Sequence, residues 1–226
     1  MSKKTEIEEA QSIEIESKLS SFLARNTKAL VGLVVAVVAV IIILIVVNTV
    51  NNKTANEKFT ELSNVQTEYS TAITADSTAD DYQANIDAAV EKLVALEDVS
   101  GYVGDKATYL VATNSFNNKD YAAALEDFLR ISEEAKGTYL GSLSLSNAIA
   151  CEEELGDDAK VIELCQSLLD TYGNDAAESP RTMFTLARTY ESQGEAKLAQ
   201  SQFQQLADQF PSSEYGKLAL NSLLNY

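Results

Sequence analysis

Two cysteines, Cys151 and Cys165, and two short carboxylate runs, Glu152-Glu153-Glu154 and Asp157-Asp158, are the side chains of this sequence whose types and spacing could do chemistry. The cysteines lie at similar distances on either side of the Gly156–Ala159 turn. Across one helical hairpin they could face each other and, in an oxidising compartment, form a disulfide. Packed helices often stand too far apart for that bond, and cysteine is also a common small core residue. Either role is structural, because no C-x-x-C redox spacing is present. The carboxylate runs could attract a divalent cation, but they lack EF-hand spacing and read as solvated helix ends and turns. The 226 residues contain no His, which removes Ser-His-Asp, Cys-His and His-ligated zinc sites. No phosphate loop, nucleotide fingerprint or nucleophile elbow occurs. The expectation is no catalytic residue, no cofactor and no metal. An enzyme working with opposed Asp/Glu pairs is the formal alternative, and it requires a deep cleft between two facing carboxylates. With 17 Lys+Arg against 34 Asp+Glu, the net charge of −17 repels polyphosphate and sets nucleic acid aside as a partner.

The elements that must carry these residues are helical and repeated. From Pro180 the chain reads PRTMFTLARTYESQGEAKLAQSQFQQLADQFPSS. Leu186, Ala187, Tyr190, Gly194, Ala199, Phe203, Leu206 and Pro211 fall there at the spacings of a tetratricopeptide repeat. Small Ala187 and Ala199 suit the closest approach of two antiparallel helices, and the larger residues fill the space around it. Gly194 ends the first helix and Pro211 stops the second. A second good copy has Val111, Ala112, Asp120, Tyr121, Ala124, Phe128 and Ile131. Between them a divergent copy keeps Gly156-Asp157, Val161, Cys165 and Leu168, but its first helix aligns less cleanly. The turns at Asp120, Asp157 and Glu195 recur every 37–38 residues.

In such an array the first helices line a concave binding face. The offsets place Lys106, Tyr109, Thr113, Phe116 and Asn117 there in the first copy, and Arg181, Phe184, Arg188, Glu191 and Ser192 in the last. Aromatic and Arg side chains are the types that anchor interfaces, although Tyr109, Phe116 and Phe184 could equally pack against neighbouring hairpins. A Lys-and-Asn carboxylate clamp is not evident, since Tyr109 and Thr113 occupy two of its places.

Ahead of the repeats, Ala55, Phe59, Leu62, Tyr69 and Ile73 form one apolar stripe, and Ile86, Val90, Leu93 and Leu96 another, predicting a degenerate hairpin. After Pro211, Tyr215, Leu218, Leu220 and Leu223 predict a capping helix. Further upstream, Ala29 to Val47 has 19 residues without a charge, amide or hydroxyl, 15 of them Val, Ile or Leu. It predicts an uncleaved transmembrane helix. Lys18, Arg25 and Lys28 before it, against Lys53 and Lys58 after it, orient the short N-terminal tail to the cytoplasm. The predicted organisation is a tail over 1–28, a span over 29–47, a juxtamembrane helix and first hairpin over 48–103, three repeats over 104–212 and a cap over 213–226. The fold class is all-α: one membrane helix followed by a tetratricopeptide-repeat hairpin solenoid.

This layout, from RNTKALVGLVVAVVAVIIILIVV to the ending LADQFPSSEYGKLALNSLL, resembles the YfgM-like family of bacterial inner-membrane proteins, ancillary subunits of the Sec translocon. The ending is shared with other periplasmic repeat proteins, including Tol-Pal-associated ones, and the retained span favours the YfgM-like assignment. The resemblance implies a periplasmic protein-binding scaffold whose partners are translocon subunits, periplasmic chaperones or emerging polypeptides. An envelope scaffold of the Tol-Pal or cell-division type is the alternative.

Overall fold

The computed structural model describes residue 26 and residues 40–43, 53–224 and 226. The expected tail over 1–28 and span over 29–47 lie outside these residues except at 26 and 40–43, which are helical; 40–43 are also exposed. Among the described residues no helix is long and apolar enough to cross a membrane. The chain forms two compact units, Met1–Glu57 and Lys58–Tyr226.

The larger unit is all-α. Helix α1 (53–74, within this unit from residue 58) is followed by α2 (Tyr82–Val94), α3 (Tyr102–Asn117), α4 (Tyr121–Glu134), α5 (Tyr139–Leu155), α6 (Asp158–Tyr172), α7 (Ser179–Ser192), α8 (Ala196–Gln209) and α9 (Glu214–Leu223). Local signals start the helices. Asp120 and Asp157 cap α4 and α6 by accepting from the backbone N–H of Ala123 and Lys160 at 3.3 and 3.1 Å. Thr138 and Ser213 do the same for α5 and α9. Such caps each contribute about 1 kcal/mol.

The hairpins α3/α4, α5/α6 and α7/α8 share one turn. The N–H of Asp120, Asp157 and Glu195 reaches back to the carbonyl of Ser115, Glu152 and Tyr190 at 2.9, 3.2 and 2.9 Å. This is the six-to-one bond that closes a left-handed helix end. The residue before each donor has positive φ: Gly156 at 79°, Gly194 at 78° and, in the first repeat, Lys119 at 64°. Beyond the turn, each second helix buries residues at i, i+4 and i+7. These are Ala124, Phe128 and Ile131, then Val161, Cys165 and Leu168, then Ala199, Phe203 and Leu206, none more than 1% exposed.

The first hairpin departs from its predicted stripe. Leu62, Val65, Tyr69 and Ala72 of α1 meet Ile86, Ala89 and Leu93 of α2 and Val103, Ala107 and Leu110 of α3. Spacings of three, four and three residues put those α1 positions on one helix face. Ile73 falls one position round from that face and is exposed, as is Phe59, whose ring meets Tyr102 with centroids 6.2 Å apart. In α9 the buried residues are Gly216 and Ala219, while Leu218 and Leu220 are exposed. Gly216 sits where the incoming chain folds back, so a Cβ there would stand 2.0 Å from the Phe210 carbonyl oxygen.

Candidate functional site

The first helices α3, α5 and α7 carry the residues expected on the binding face, and the structure divides those residues into two kinds. Tyr109, Phe116 and Phe184 are half-buried joints. The Tyr109 ring lies 5.6 Å from Phe128, and its hydroxyl accepts from Asn147 Nδ2 at 2.9 Å, tying α3 to α5. Burial raises the Tyr109 phenol above its ordinary value, opposed by Asn147 and Thr113. Thr113 Oγ1 donates to the Tyr109 carbonyl at 2.7 Å. Phe116 packs edge-on against Tyr121 at 5.2 Å, and Phe184 lies 5.7 Å from both Phe203 and Tyr215. Each of these three rings thus packs against an aromatic of its own or a neighbouring hairpin while keeping part of its surface accessible.

The remaining residues are accessible but dispersed. Arg181 is half-buried and exerts its field on Glu153, whose carboxyl is nonetheless pushed up by burial. Arg188 is exposed and pairs with Glu191 at 3.4 Å, and Glu191 also accepts from the Tyr226 hydroxyl at 3.1 Å. Exposed pairs of this type contribute little. Ser192 donates to the Thr189 carbonyl at 2.8 Å, with Asp158 Oδ2 as an alternative acceptor at 3.3 Å. Asn117 is exposed and faces the buried Tyr69 hydroxyl, which has no well-formed hydrogen bond.

Lys106 enters a defined concavity. A pocket of about 320 Å³ lies between α3 and the α4–α5 corner, with Tyr102, Asp105, Lys106, Glu134, Tyr139 and Leu140 among its lining. Lys106 is half-buried, its Nζ is 4.5 Å from the Tyr109 ring centroid, and desolvation lowers its pKa. Over an aromatic face an ammonium is held without being neutralised. Tyr102 and Tyr139 flank the mouth at 55% and 67% exposure, and Phe59, 54% exposed, extends the aromatic rim through Tyr102. Largely apolar walls carrying one desolvated cation and two carboxylates suit an apolar or aromatic side chain with a polar end.

Sequence reasoning missed Tyr102 and Tyr139. The signal was their separation of 37 residues, one repeat, at the first position of successive first helices. Arg130 engages Glu134 at 3.5 Å and Asp127 at 3.0 Å, and burial, then Glu134, raises the pKa of Asp105. Among the described residues no cluster of His, Cys, Asp or Glu could hold a metal ion.

The cysteines are free. Cys151 turns toward Ala112, Ala124 and Phe128, while Cys165 turns toward Leu145, Ile149 and Leu186. The cross-hairpin bridge is not formed because the two thiols enter different layers of the core. Burial pushes both thiols up to about 12, so neither is a reactive thiolate near neutral pH.

Comparison with known proteins agrees with this architecture. Residues 181–213 match the tetratricopeptide repeat family. A TPR repeat-containing protein of Treponema pallidum (strain Nichols) is 27% identical over 118 residues, 52% of this chain and 48% of that protein. The chain thus spans about half the length of that curated relative. The crystal structure of the apo form of RapI superposes with a TM-score of 0.50 and 18% identity, covering 63% of this chain and 61% of RapI. The fold is a tetratricopeptide-type helical solenoid, an architecture of protein-interaction scaffolds.

Proposed function

We propose that this chain is a protein-interaction scaffold anchored in the bacterial inner membrane through 29–47, with its helical unit in the periplasm next to the protein-export machinery. The observation that carries the binding reading is the pocket with Lys106 inside and Tyr102 and Tyr139 exposed at its mouth. Exposed aromatics beside a half-desolvated cation form an anchoring site for a partner side chain. The uncharged span and the flanking Lys and Arg residues support the anchor, and the YfgM-like layout supports the location. Confinement to the membrane surface raises the effective concentration of the solenoid for membrane-bound partners. No cofactor, metal or catalytic step enters this mechanism.

A photocrosslinking residue placed at Tyr102 or Tyr139 in the full chain in cells tests it. The expected products are translocon subunits, periplasmic chaperones or emerging polypeptides, and Lys106→Ala reduces their yield severalfold. Products confined to Tol-Pal or cell-division proteins would move the assignment to an envelope-division scaffold. Cytoplasmic products alone would reverse the orientation.

A further inference from the structure

Successive repeats also leave grooves between their second helices, each floored by the first helix of the following repeat. Between α4 and α6, Leu129 and Leu164 are both half-buried against the same two core clusters. One repeat further along, the matching positions are Gln166 and Gln202, and a cavity of about 430 Å³ remains between α6 and α8 above Met183 and Leu186. Gln202, Gln205 and Gln209 all line it from one face of α8. At helical rise they set three primary amides in a row over roughly 10 Å. Among the described residues these three side chains have no hydrogen-bond partner, whereas Gln204 on the outer face is tied to Asp208 at 2.9 Å. Across the groove Gln166 donates to the Tyr190 hydroxyl at 3.2 Å.

A primary amide both donates and accepts, so such a row complements a ligand that alternates N–H and C=O groups. An extended main chain does this at about 3.3 Å per residue, so the row spans roughly three residues. Alternate side chains of that segment would rest on buried Met183 and Leu186. In a chain of net charge −17 the groove presents a single carboxylate, Asp170, and no cation, which favours an uncharged ligand. Tyr190, the one aromatic ring, is half-buried with its hydroxyl engaged, which leaves no platform on which to stack a sugar.

We propose that the α6–α8 groove is a second binding site that takes an extended, uncharged polypeptide segment through its main-chain amides. It lies on other elements than the Lys106 pocket and goes beyond the function proposed above. Crosslinks from Tyr102 and Tyr139 read that pocket, and the following titration reads only the groove.

The chain contains no tryptophan, so the capped and amidated peptide Thr-Val-Thr-Trp-Thr-Val reports binding through its own fluorescence anisotropy. Titrated with the full chain in detergent micelles, it shows a saturable rise over empty micelles. Gln166→Leu with Gln202→Leu, which copies the leucine pair of the preceding repeat, weakens binding at least about tenfold. Exposed Gln205→Leu weakens it in the same direction should the double variant unfold, and Gln204→Ala leaves it unchanged. A backbone N-methylated peptide does not bind. The proposal is overturned by equal affinity for the N-methylated peptide, by unchanged binding in folded groove variants, by absence of saturable binding, or by displacement of the peptide by a chitin-type oligosaccharide.

Discussion

In α4 and α8 the buried face of the second helix is built from alanine followed four residues later by phenylalanine, Ala124–Phe128 and Ala199–Phe203. In α6 the same places hold Val161 and Cys165. The opposing first helices reverse the sizes. Small Ala112 and Ala187 face the two phenylalanines, whereas Ile149 stands in the cluster of Cys165. The volume filled is similar, but its source moves from one helix of the hairpin to the other. The middle first helix, α5, is packed by neighbours on both sides and buries most of its length in Leu, Ala, Ser and Gly. Its exposed face is too narrow to show amphipathic spacing, which is why the middle copy aligns poorly with the repeat pattern although its backbone turn is the same. A repeat is thus conserved in geometry while its side chains are exchanged in complementary pairs.

The largest test of that exchange is truncation. Phe203→Ala is expected to cost about 3–5 kcal/mol, and Cys165→Ala only about 1 kcal/mol. Urea unfolding that gives equal losses would break the comparison. Cys165→Phe alone overpacks the middle repeat by about 1–3 kcal/mol. Combined with Ile149→Ala it should recover more than half of that loss, an interaction read from the double-mutant cycle. Additive losses would show that the two side chains do not share one space.

A smaller effect distinguishes the turns. Gly156→Ala forces a side chain into positive φ and should cost about 1 kcal/mol, whereas Lys119→Gly in the first repeat should gain up to about 1 kcal/mol, both measured as shifts in denaturation midpoint. A loss at Lys119 would mean that its side chain makes compensating interactions the turn needs.

The smallest expected effect is electrostatic. The middle repeat buries Glu152 at the place where its neighbours have Ser115 and Tyr190. Burial, then Asp157, raises the Glu152 pKa. The native chain therefore holds this proton more tightly than the unfolded chain. Its contribution to stability is complete below the ordinary glutamate value and is lost as pH rises through the raised native value. Acidification through the raised native value toward the ordinary glutamate value should raise Tm, and Glu152→Gln should remove part of that rise. An identical pH profile in the variant would dismiss Glu152 as its source.

Much of the fold was legible because its signals are local. Asp120 and Asp157 cap helices with their own side chains, Gly156 and Gly194 relieve a backbone conformation, and the second-helix triplets repeat at one spacing. The pocket was only partly legible. Lys106 lay at an expected position, but Tyr109, Phe116 and Phe184 were spaced identically for binding and for packing. Their packing partners Phe128, Tyr121 and Phe203 are brought close only by folding. The same holds for Phe59, which continues an apolar stripe in the sequence yet lies at the surface against Tyr102.

By itself the sequence determined an apolar segment at 29–47, helices separated by turns every 37–38 residues, and the absence of histidine chemistry. These follow from composition and from interactions within a few residues. Tertiary structure decided that Cys151 and Cys165 stay apart, that Lys106 rests over Tyr109 between two exposed tyrosines, and that glutamines rather than leucines face each other across α6 and α8. Each depends on which neighbouring helix covers a given face, and that is set by the packing of the whole array, not by the residues of any one helix.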